Sequence, residues 1–416
     1  MSIDRAWLEE KLLELNLTDR MDVPEGFSRL SFSQEEKRAH QQFINIAQEL
    51  GLETHQDEAG NQWAIWKAAG DDQPNIAVGS HLDTVYSGGG YDGVAGVLTG
   101  LAAIKQLKDL KFKPEKNIAI ICFVSEESAR FGVSTVGSKA IAGMLDKEEI
   151  ASLEDKDGVT FKQAIDSFGV DWESIEKAEV PTDKIESFLE LHIEQGSILE
   201  EAGVSIGIVN GIACPVRLKV NVKGMANHTG TTPMDRRKDA LVICAPLFNF
   251  VHDKALEVNK QAEVPLVATV STVKLKPNAM NVIPGEVELG IDIRSVDDTR
   301  KRNFADDIRA YCRDLAEKHG VTVEVATLVD NDSVLLDGQI HEKIEAACQS
   351  AGLTYISMNS GAGHDVMNMA AKWPSGLLFI PCRDGLSHHP KEHTEVDDLA
   401  KGTAIIVNYL QAEAGA

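Results

Sequence analysis

The chain is poor in aromatic residues and in positive charge, and the shortage of positive charge argues against one class of partner. Aromatic residues make up 6% of its 416 positions, and 41 lysines and arginines face 65 aspartates and glutamates, which gives a formal net charge of −24. A nucleic-acid partner requires a basic face for its phosphates, and the sequence shows none. We therefore expect no nucleic-acid binding, and the acidic balance mainly keeps the protein in solution.

Long apolar runs and paired cysteines are also missing. No segment approaches the roughly 20 apolar residues of a membrane span. The N-terminal stretch Met1–Glu10 is typical of a charged amphipathic helix and lacks the apolar core of a secretory signal. The six cysteines show no CxxC spacing and lie mostly within apolar runs, as buried thiols do. These absences predict a reduced, cytoplasmic protein with no membrane partner.

The length of the chain and its changing periodicity predict two domains, since one core usually stops growing below this size. From about residue 30 to 213, helical periodicity alternates with short β-branched runs, which indicates an α/β fold with a largely parallel central sheet. α/β character returns from residue 340 to the C-terminus. The expected strands and helices of this part are Gln62–Trp66, Ile76–Gly79, Gly93–Lys108, Ile118–Phe123, Phe188–His192, Leu377–Ile380 and Asp397–Gln411.

Between Cys214 and Asp330 the order of elements becomes βαββαβ, the ferredoxin-like split unit. Its expected elements are Arg217–Val222, Asp239–Leu256, Leu266–Leu275, Glu286–Arg294, Arg300–Lys318 and Val321–Leu328. The sequence thus predicts that residues 1–213 and 331–416 form one discontinuous domain, into which an α+β domain of residues 214–330 is inserted.

The segment GSHLDTVYSGGGYDG, residues 79–93, follows a predicted strand and combines one histidine with two aspartates. Imidazole and carboxylate groups suit Zn²⁺, Mn²⁺, Co²⁺ or Ni²⁺, and glycines let the backbone turn tightly around an ion. Each residue alone also has a structural interpretation: His81 as a buried histidine, Asp83 as a turn former and Asp92 as a helix cap.

Three later motifs also follow predicted strands, and their residues could complete a metal site. The motifs are VSEE at residues 124–127, ELHIEQG at 190–196 and RDGLSHHPKE at 383–392. A solvated acidic pair and isolated core histidines are the structural alternatives. Ligands of open α/β sheets sit beyond the carboxyl ends of the strands, however, so four motifs in that position favour one shared site.

Converging side chains from these motifs could hold two metal ions, which together activate a water and polarise a carbonyl. The candidate ligands are His81, Asp92, Glu127, His192 and His388, with Asp92 as the bridge. Asp83 would orient the His81 imidazole. Glu126 would be the general base, and Gln195 is a candidate substrate contact.

The chain resembles a known family through the ordered motifs GSHLDTV, GGGYDG, SEESARFG, ELHIEQG, MANHTGTTPMDRR, PNAMNVIPG, DIR, SGAGHD and GLSHHPKE. They are similar to those of N-carbamoyl-L-amino acid hydrolases and allantoate amidohydrolases, within the aminoacylase-type dinuclear metallopeptidase superfamily, from about residue 79 to 395. Relatives often have an acidic residue or a glycine beside the Glu-Glu pair, where this chain has Ser125 and Ser128.

The resemblance implies a dinuclear catalytic domain, in which two triads each bind one divalent ion. The implied ligands are His81, Asp92 and His192 for one ion, and Asp92, Glu127 and His388 for the other. It gives Glu126 the role of base and Asp83 that of support. The neighbouring His389 stays an alternative to His388, and His364 and His393 are expected to be supporting residues.

The resemblance also implies that the inserted domain is a lid that forms a homodimer. His228 would act on the oxyanion in the partner's active site, and Asn278 and Arg294 would hold the substrate carboxylate. Gln195, in the segment Glu194–Gln195, and Gly361 and Ala362 would contact substrate. Without the resemblance, the segment around His228 is typical of a polar turn, Arg294 of a surface charge and the glycines of a plain turn.

The implied activity is hydrolysis of the linear C–N bond of an N-carbamoyl-L-amino acid, with release of the amino acid, ammonia and carbon dioxide. Allantoate amidohydrolase, β-ureidopropionase and N-acyl amino acid hydrolase activities remain alternatives, because the sequence does not identify the side-chain pocket. A non-enzymatic binding protein on the same scaffold is an alternative of another class. It predicts loss of a ligand or of the base, and all of them are present.

Overall fold

The computed structural model describes residues 3–69 and 73–415, which divide into two compact units. The larger unit comprises Met1–Asn210, Leu336–Ser360 and His364–Ala416, apart from the undescribed positions, and the inserted unit comprises Gly211–Leu335 and Gly361–Gly363. The sequence predicts the two boundaries after residue 213 and after residue 330, whereas the inserted unit of the structure begins at Gly211 and ends at Leu335. The first two residues of the predicted N-terminal helix lie outside the described residues.

The elements are numbered along the chain. The strands are β1 (Glu53–Gln56), β2 (Gln62–Trp66), β3 (Asn75–His81), β4 (Asn117–Phe123), β5 (Ile185–Ile193), β6 (Ile206–Ile212), β7 (Pro215–Lys223), β8 (Val267–Lys276), β9 (Glu286–Arg294), β10 (Thr322–Asp330), β11 (Val334–Leu335), β12 (Tyr355–Ser360) and β13 (Ser375–Ile380). The helices are α1 (Arg5–Leu15), α2 (Gln34–Glu49), α3 (Val94–Asp109), α4 (Val136–Ala142), α5 (Lys147–Ile150), α6 (Phe161–Phe168), α7 (Ile198–Ala202), α8 (Ala240–Asn259), α9 (Asp298–His319), α10 (Gly338–Ala351), α11 (Val366–Met369) and α12 (Val396–Ala414).

The framework of the larger unit is a mixed sheet with a parallel centre. Its strands run in the order β1-β2-β4-β3-β5-β13-β6-β11, with β12 against β6. Strands β4, β3, β5 and β13 are mutually parallel, and β2 and β6 flank them in the antiparallel direction. The expectation of an α/β fold with a largely parallel central sheet is confirmed.

The central strands are buried on both faces of the sheet. β4 has the sequence NIAIICF and is buried at every position, which is typical of parallel strands. Helices α1, α3, α10 and α12 pack together over the sheet. The close approach of α3 depends on Gly96, since a Cβ there would lie 2.3 Å from the backbone oxygen of Leu191 in β5. This packing fixes the start of α3, just after Asp92.

The inserted unit is a four-stranded antiparallel sheet covered by helices α8 and α9. The strand order is β10-β7-β9-β8, so the chain runs βαββαβ, the arrangement of a ferredoxin-like split unit. Strand β9 alternates between buried and partly buried residues along its whole length. Its buried face and that of β7 pack with both helices into a core separate from that of the larger unit.

All six cysteines are buried free thiols, as predicted. Within the described ranges, no helix is both long enough and apolar enough to cross a bilayer.

Candidate functional site

The candidate residues of the larger unit lie where its four parallel strands end. His81 is the last residue of β3, and the Glu126–Glu127 pair follows β4. His192 lies near the end of β5, and His388 follows β13. The register pairs His81 with Phe123 at the end of β4, and His192 with Phe379 near the end of β13. The strand ends are therefore level, and their loops meet at one edge of the sheet.

Two histidines and one carboxylate form the first cluster. The Nε2 atoms of His81 and His192 lie 3.4 and 3.1 Å from Oδ1 of Asp92. The imidazole rings are stacked with their centroids 5.8 Å apart, and all three side chains are buried. One nitrogen or oxygen from each residue lies within 4.8 Å of the others, a spacing at which one ion can bind all three.

The second cluster uses the other oxygen of the same aspartate. Nε2 of His388 lies 3.5 Å from Oδ2 of Asp92 and 3.3 Å from Oε1 of Glu127. His389 is exposed and instead accepts the backbone N–H of Lys391 at its Nδ1. The two oxygens of Asp92 thus face two different clusters, which is the position of a bridging carboxylate.

The donor atoms fit divalent ions, as the hydrogen bonds of the buried histidines indicate. Nδ1 of His81 lies 3.1 Å from the backbone oxygen of Asp83, and Nδ1 of His192 lies 2.9 Å from that of Ile193. A proton on each Nδ1 serves these bonds and leaves a lone pair on each Nε2, which in His192 accepts the backbone N–H of Gly93 at 3.1 Å. Imidazole nitrogens combined with carboxylates suit Zn²⁺, Mn²⁺, Co²⁺ and Ni²⁺.

Asp83 links the first loop to the Glu-Glu pair. Its Oδ1 accepts the backbone N–H of Glu126 and its Oδ2 that of Glu127, each at 3.0 Å. Oδ1 also lies 3.4 Å from Nδ1 of His81. The residue before the pair, Ser125, has a φ of 54°, a conformation that costs free energy unless its surroundings hold it. Asp83 therefore orients one predicted ligand and fixes the backbone of another.

The carboxylates are crowded, and their pKa values reflect this. Burial raises the pKa of Glu126 well above its usual range, and the carboxylate of Glu127 adds to the rise while His81 opposes it. Burial and the charge of Asp92 raise the pKa of Glu127 to about 9. The pKa of Asp92 is lowered despite burial, since His192 and His81 stabilise its charge. So dense a group of acids is relieved by positive charge, which a divalent ion supplies.

Glu126 itself is placed beside the first cluster. Its Oε2 lies 3.9 Å from Nε2 of His81, and its side chain is 10% exposed. A carboxylate that lies beside the first cluster, and belongs to neither group of candidate ligands, can exchange a proton with a water held there.

Gln195 contacts the carboxylate of Asp92. It has a φ of 57°, and its Nε2 donates to Oδ2 of Asp92 at 2.7 Å. The neighbouring Glu194 accepts the N–H groups of Ile198 and Leu199, each at 2.8 Å, so its side chain caps α7. Gln195 is thus the one of the two residues that faces the clusters.

The remaining candidates belong to the inserted unit. His228 and Asn278 are exposed, and Nδ1 of His228 accepts the backbone N–H of Gly230 at 3.0 Å. Arg294, the last residue of β9, donates Nη1 to the backbone oxygen of Gly361 at 2.6 Å. The neighbouring Ala362 is partly buried. Two predicted substrate contacts, Arg294 and Gly361, are therefore in direct contact.

An outer layer of site residues comes from the N-terminal segment, which carries no sequence motif that would indicate it. Arg29 donates Nε to the backbone oxygen of Leu82 at 2.8 Å, and Glu36 accepts the backbone N–H of Ser125 at 2.9 Å. Both side chains are buried. Leu82 directly follows the predicted ligand His81, and Ser125 directly precedes the Glu126–Glu127 pair. Arg29 and Glu36 therefore hold the backbone next to predicted ligands that are more than fifty positions away in the sequence.

His364 and Asp365, in the glycine-rich SGAGHD segment, lie beside the same region. The His364 ring lies 4.6 Å from that of His192, and its Nε2 is 3.1 Å from the hydroxyl of Ser360. Asp365 is fully buried and accepts the hydroxyl of Ser138. His364 thus supports the ring of a predicted ligand, whereas His393 contacts the hydroxyl of Tyr91.

Comparison with known proteins places the chain in a family. The sequence profile of peptidase family M20/M25/M40 matches residues 77–412. An N-carbamoyl-L-amino-acid amidohydrolase of Paenarthrobacter aurescens is 34% identical over 413 residues, which cover 99% of each chain. The allantoate amidohydrolase of Escherichia coli K12 is 34% identical over 390 residues, 94% of this chain and 93% of that protein.

The fold leads to the same group. The crystal structure of an amidase of the hydantoinase/carbamoylase family from Burkholderia multivorans superposes with a TM-score of 0.90, at 28% sequence identity and over 100% of this chain and 98% of that one. The chain belongs to peptidase family M20/M25/M40 and, within it, to the group of amidohydrolases that includes the N-carbamoyl-L-amino acid and allantoate enzymes.

Proposed function

We propose that the protein hydrolyses the linear C–N bond of N-carbamoyl-L-amino acids, and that it uses two divalent metal ions per subunit. The observation that carries the metal part of this proposal is the position of Asp92, whose two oxygens face two separate clusters of candidate ligands. The substrate is that named for the N-carbamoyl-L-amino-acid amidohydrolase that is 34% identical over 99% of both chains. A shared carboxylate is the element that distinguishes a dinuclear hydrolase centre from two unrelated sites. Zn²⁺, Mn²⁺, Co²⁺ and Ni²⁺ all suit these donor atoms.

The side chains of the larger unit account for the proton transfers of such a reaction. When bound, the ions would lower the pKa of water and polarise the ureido carbonyl. Glu126 accepts a proton from the attacking water and then returns it to the leaving nitrogen of the amino acid. Asp83 keeps His81 and Glu126 in position throughout. The products are the amino acid and carbamate, and carbamate breaks down to ammonia and carbon dioxide.

The inserted unit supplies substrate contacts in this proposal. Arg294 and Asn278 hold the carboxylate of the substrate, since a guanidinium can donate two parallel hydrogen bonds to it. Gln195, Gly361 and Ala362 complete the contacts. Because Arg294 already touches the Gly361 backbone, both would approach the same substrate group.

We also propose that the chain is a homodimer through residues 214–330, in which His228 stabilises the oxyanion in the partner subunit's site. His228 is exposed and uses Nδ1 for the Gly230 N–H, so Nε2 is left to donate. The proposed location is the cytoplasm, which agrees with six free thiols.

Allantoate is the first alternative substrate, because the relative named for it is as similar to this chain as the relative named for N-carbamoyl-L-amino acids. The remaining candidate activities are those of a β-ureidopropionase and of an N-acyl amino acid hydrolase. An inactive binding protein is disfavoured, since every candidate ligand and the base are present and grouped.

The deciding experiment is a substrate screen. The metal-free protein is reloaded separately with Zn²⁺, Mn²⁺, Co²⁺ or Ni²⁺ and offered N-carbamoyl-L-amino acids, N-carbamoyl-D-amino acids, allantoate, N-carbamoyl-β-alanine and N-acetyl-L-amino acids. We expect the highest kcat/KM with an N-carbamoyl-L-amino acid and none without metal. Preference for allantoate, or full activity in the metal-free protein, would contradict the substrate or the metal proposal respectively.

A further inference from the structure

Glu392 is a buried carboxylate with both of its oxygens in use as acceptors. Its Oε1 accepts the backbone N–H groups of Tyr91 and Asp92, both at 2.9 Å. Its Oε2 accepts the backbone N–H of His388 at 3.3 Å and lies 3.1 Å from the hydroxyl oxygen of Ser387. The residue is 5% exposed. A carboxylate that accepts several N–H groups in this way is held firmly in one orientation.

These four contacts join two loops that are about 300 positions apart in the sequence. One loop ends in Asp92, the proposed bridge, and the other carries His388, the proposed terminal ligand of the second ion. One oxygen of Glu392 serves each loop. The side chain therefore sets the distance between the backbones of two ligands that must approach the same ion.

The glycine-rich loop next to Glu392 leaves room for its side chain. A Cβ on Gly89 would lie 2.2 Å from Oε1 of Glu392, so the glycine-rich loop can pass over the carboxylate only without a side chain there. Ser387 places its hydroxyl 2.6 Å from Oδ2 of Asp92, while it also contacts Glu392. The contact thus reaches the bridging carboxylate itself as well as its backbone.

The backbone of His388 needs such support. Its φ is 57°, in the left-handed region that a residue with a side chain adopts only at a cost in free energy. Its imidazole is about half exposed, so burial of the ring does little to hold it. The bond from its N–H to Glu392 holds this conformation. It thereby keeps Nε2 of His388 directed towards Asp92 and Glu127.

We propose that Glu392 is a positioning residue of the metal centre, which holds the loops of Asp92 and His388 at the separation that the second ion requires. The inference rests on the proposed dinuclear function and adds to it a residue that binds neither metal nor substrate. Its effect falls on the ion held by Asp92, Glu127 and His388. The ion held by His81, Asp92 and His192 shares only the Asp92 loop.

The test measures metal binding by full-length variants in the absence of substrate. Glu392→Gln keeps the size of the side chain, but its amide presents a donor to one of the two loops. Glu392→Asp keeps the charge and is one methylene too short to reach both. Each chain is stripped with a chelator and titrated calorimetrically with Mn²⁺, and its melting temperature is recorded in the presence of chelator.

We expect the affinity of both variants for the more weakly bound Mn²⁺ ion to be about ten- to a hundredfold lower than that of the wild-type chain. Both variants should still unfold in one cooperative transition in chelator, and kcat at low Mn²⁺ should recover when excess Mn²⁺ is added. Glu395→Gln is the matched control, because Glu395 is an exposed glutamate three positions away that pairs with Arg383. It should bind both ions as the wild type does.

Wild-type affinity in a folded Glu392 variant would overturn the positioning role, and so would a lower melting temperature in chelator with unchanged affinity. If Glu392→Gln does not fold, Glu392→Asp decides. Failure of the substrate proposal gives a different result: a wild-type chain that binds two ions and hydrolyses no ureido acid. A wild-type chain that binds no ion would overturn both.

Discussion

The hydroxyl of Ser31 lies 2.9 Å from Oδ2 of Asp83, and the two residues are 52 positions apart. The same hydroxyl is 2.9 Å from the backbone oxygen of Glu127. Ser31 therefore sits between the residue that orients His81 and the backbone of a second proposed ligand. It shows that the N-terminal segment, which precedes all the chemical motifs of the sequence, forms part of the support of the site.

Replacement of this hydroxyl should weaken the metal centre without unfolding the protein. Ser31→Ala removes one donor to Asp83, while the N–H groups of Glu126 and Glu127 remain. We expect metal affinity to fall by about tenfold, as is usual for the loss of an outer hydrogen bond. Titration with Mn²⁺ measures this. Ser28→Ala is the control, since Ser28 is exposed in the same segment and accepts the N–H of Ser87. An equal loss of affinity in Ser28→Ala would count against the role of Ser31.

The stoichiometry of bound metal should report the two clusters separately. We expect two ions in the wild-type chain, one in His192→Asn and one in His388→Asn, because each histidine belongs to one cluster. Asp92→Asn should weaken both ions. Elemental analysis after gel filtration gives the number of ions per chain.

Two control variants accompany this series. His389→Asn tests the neighbouring histidine, which lies outside the clusters in the structure, and His252→Asn tests an exposed histidine of α8. Both should retain two ions. Loss of an ion in His389→Asn, with two ions kept in His388→Asn, would reverse the assignment of the second ligand.

Strong periodicity made several elements predictable from the sequence. The predicted bounds of Gln62–Trp66 and Glu286–Arg294 coincide with β2 and β9, since an alternating or fully apolar run between turn residues has only one good interpretation. Strands β6 and β12 were not predicted. β6 contains two glycines and an asparagine, and β12 has mixed burial, so their pairing is decided by neighbours distant in sequence.

The residues of the candidate site also divide into those that the sequence predicts and those that it does not. His81, Asp92, Glu127, His192 and His388 could be nominated because each follows or ends an apolar strand, where the fold exposes side chains to ligands. Ser31, Glu36 and Glu392 could not. They act on the site through hydrogen bonds to groups that are distant in sequence, and such contacts leave no local pattern in a sequence.

Loss of the proposed base should stop catalysis and spare metal binding. Glu126→Gln has the same shape but cannot accept the proton, so we expect kcat to fall by at least about a hundredfold with little change in bound metal. Steady-state kinetics on the best substrate of the screen provide the measurement. Glu342→Gln, on the exposed face of α10, should behave as wild type. Near-normal kcat in Glu126→Gln would assign the proton transfer to another group.

His40 should make the folded state sensitive to acid. Burial lowers the pKa of His40 to about 4, whereas an unfolded histidine titrates near 6.5. The folded state therefore binds this proton less readily. The free energy of unfolding is therefore highest above pH 6.5. It decreases as the pH falls towards 4, by up to about 3 kcal/mol, because the unfolded state binds the proton more tightly.

The measurement is urea unfolding of wild type and His40→Leu in chelator from pH 7.5 to 4.5. The difference between the two should shrink or reverse as the pH falls. The charged groups around the ring are Glu36, Asp83 and Arg29, which both proteins keep. His252→Leu, on the exposed face of α8, controls for loss of a histidine. Parallel curves for wild type and His40→Leu would show that His40 does not carry this dependence.

Action of His228 on the partner's site predicts complementation between two inactive chains. His228→Ala lacks the oxyanion donor and Glu126→Ala lacks the base, so each homodimer should be nearly inactive. In a mixed dimer, one site combines Glu126 of the first chain with His228 of the second. With equal amounts and complete exchange, about a quarter of the sites become competent.

The recovered kcat should therefore approach a quarter of the wild-type value, and the KM should equal that of wild type because the restored site contains no substitution. Subunit exchange is verified by mass spectrometry with one isotopically labelled chain. If His228 acts within its own subunit, every site of the mixed dimer lacks one of the two groups, and exchange restores nothing. Absence of recovery after verified exchange thus assigns His228 to its own subunit or removes it from the reaction.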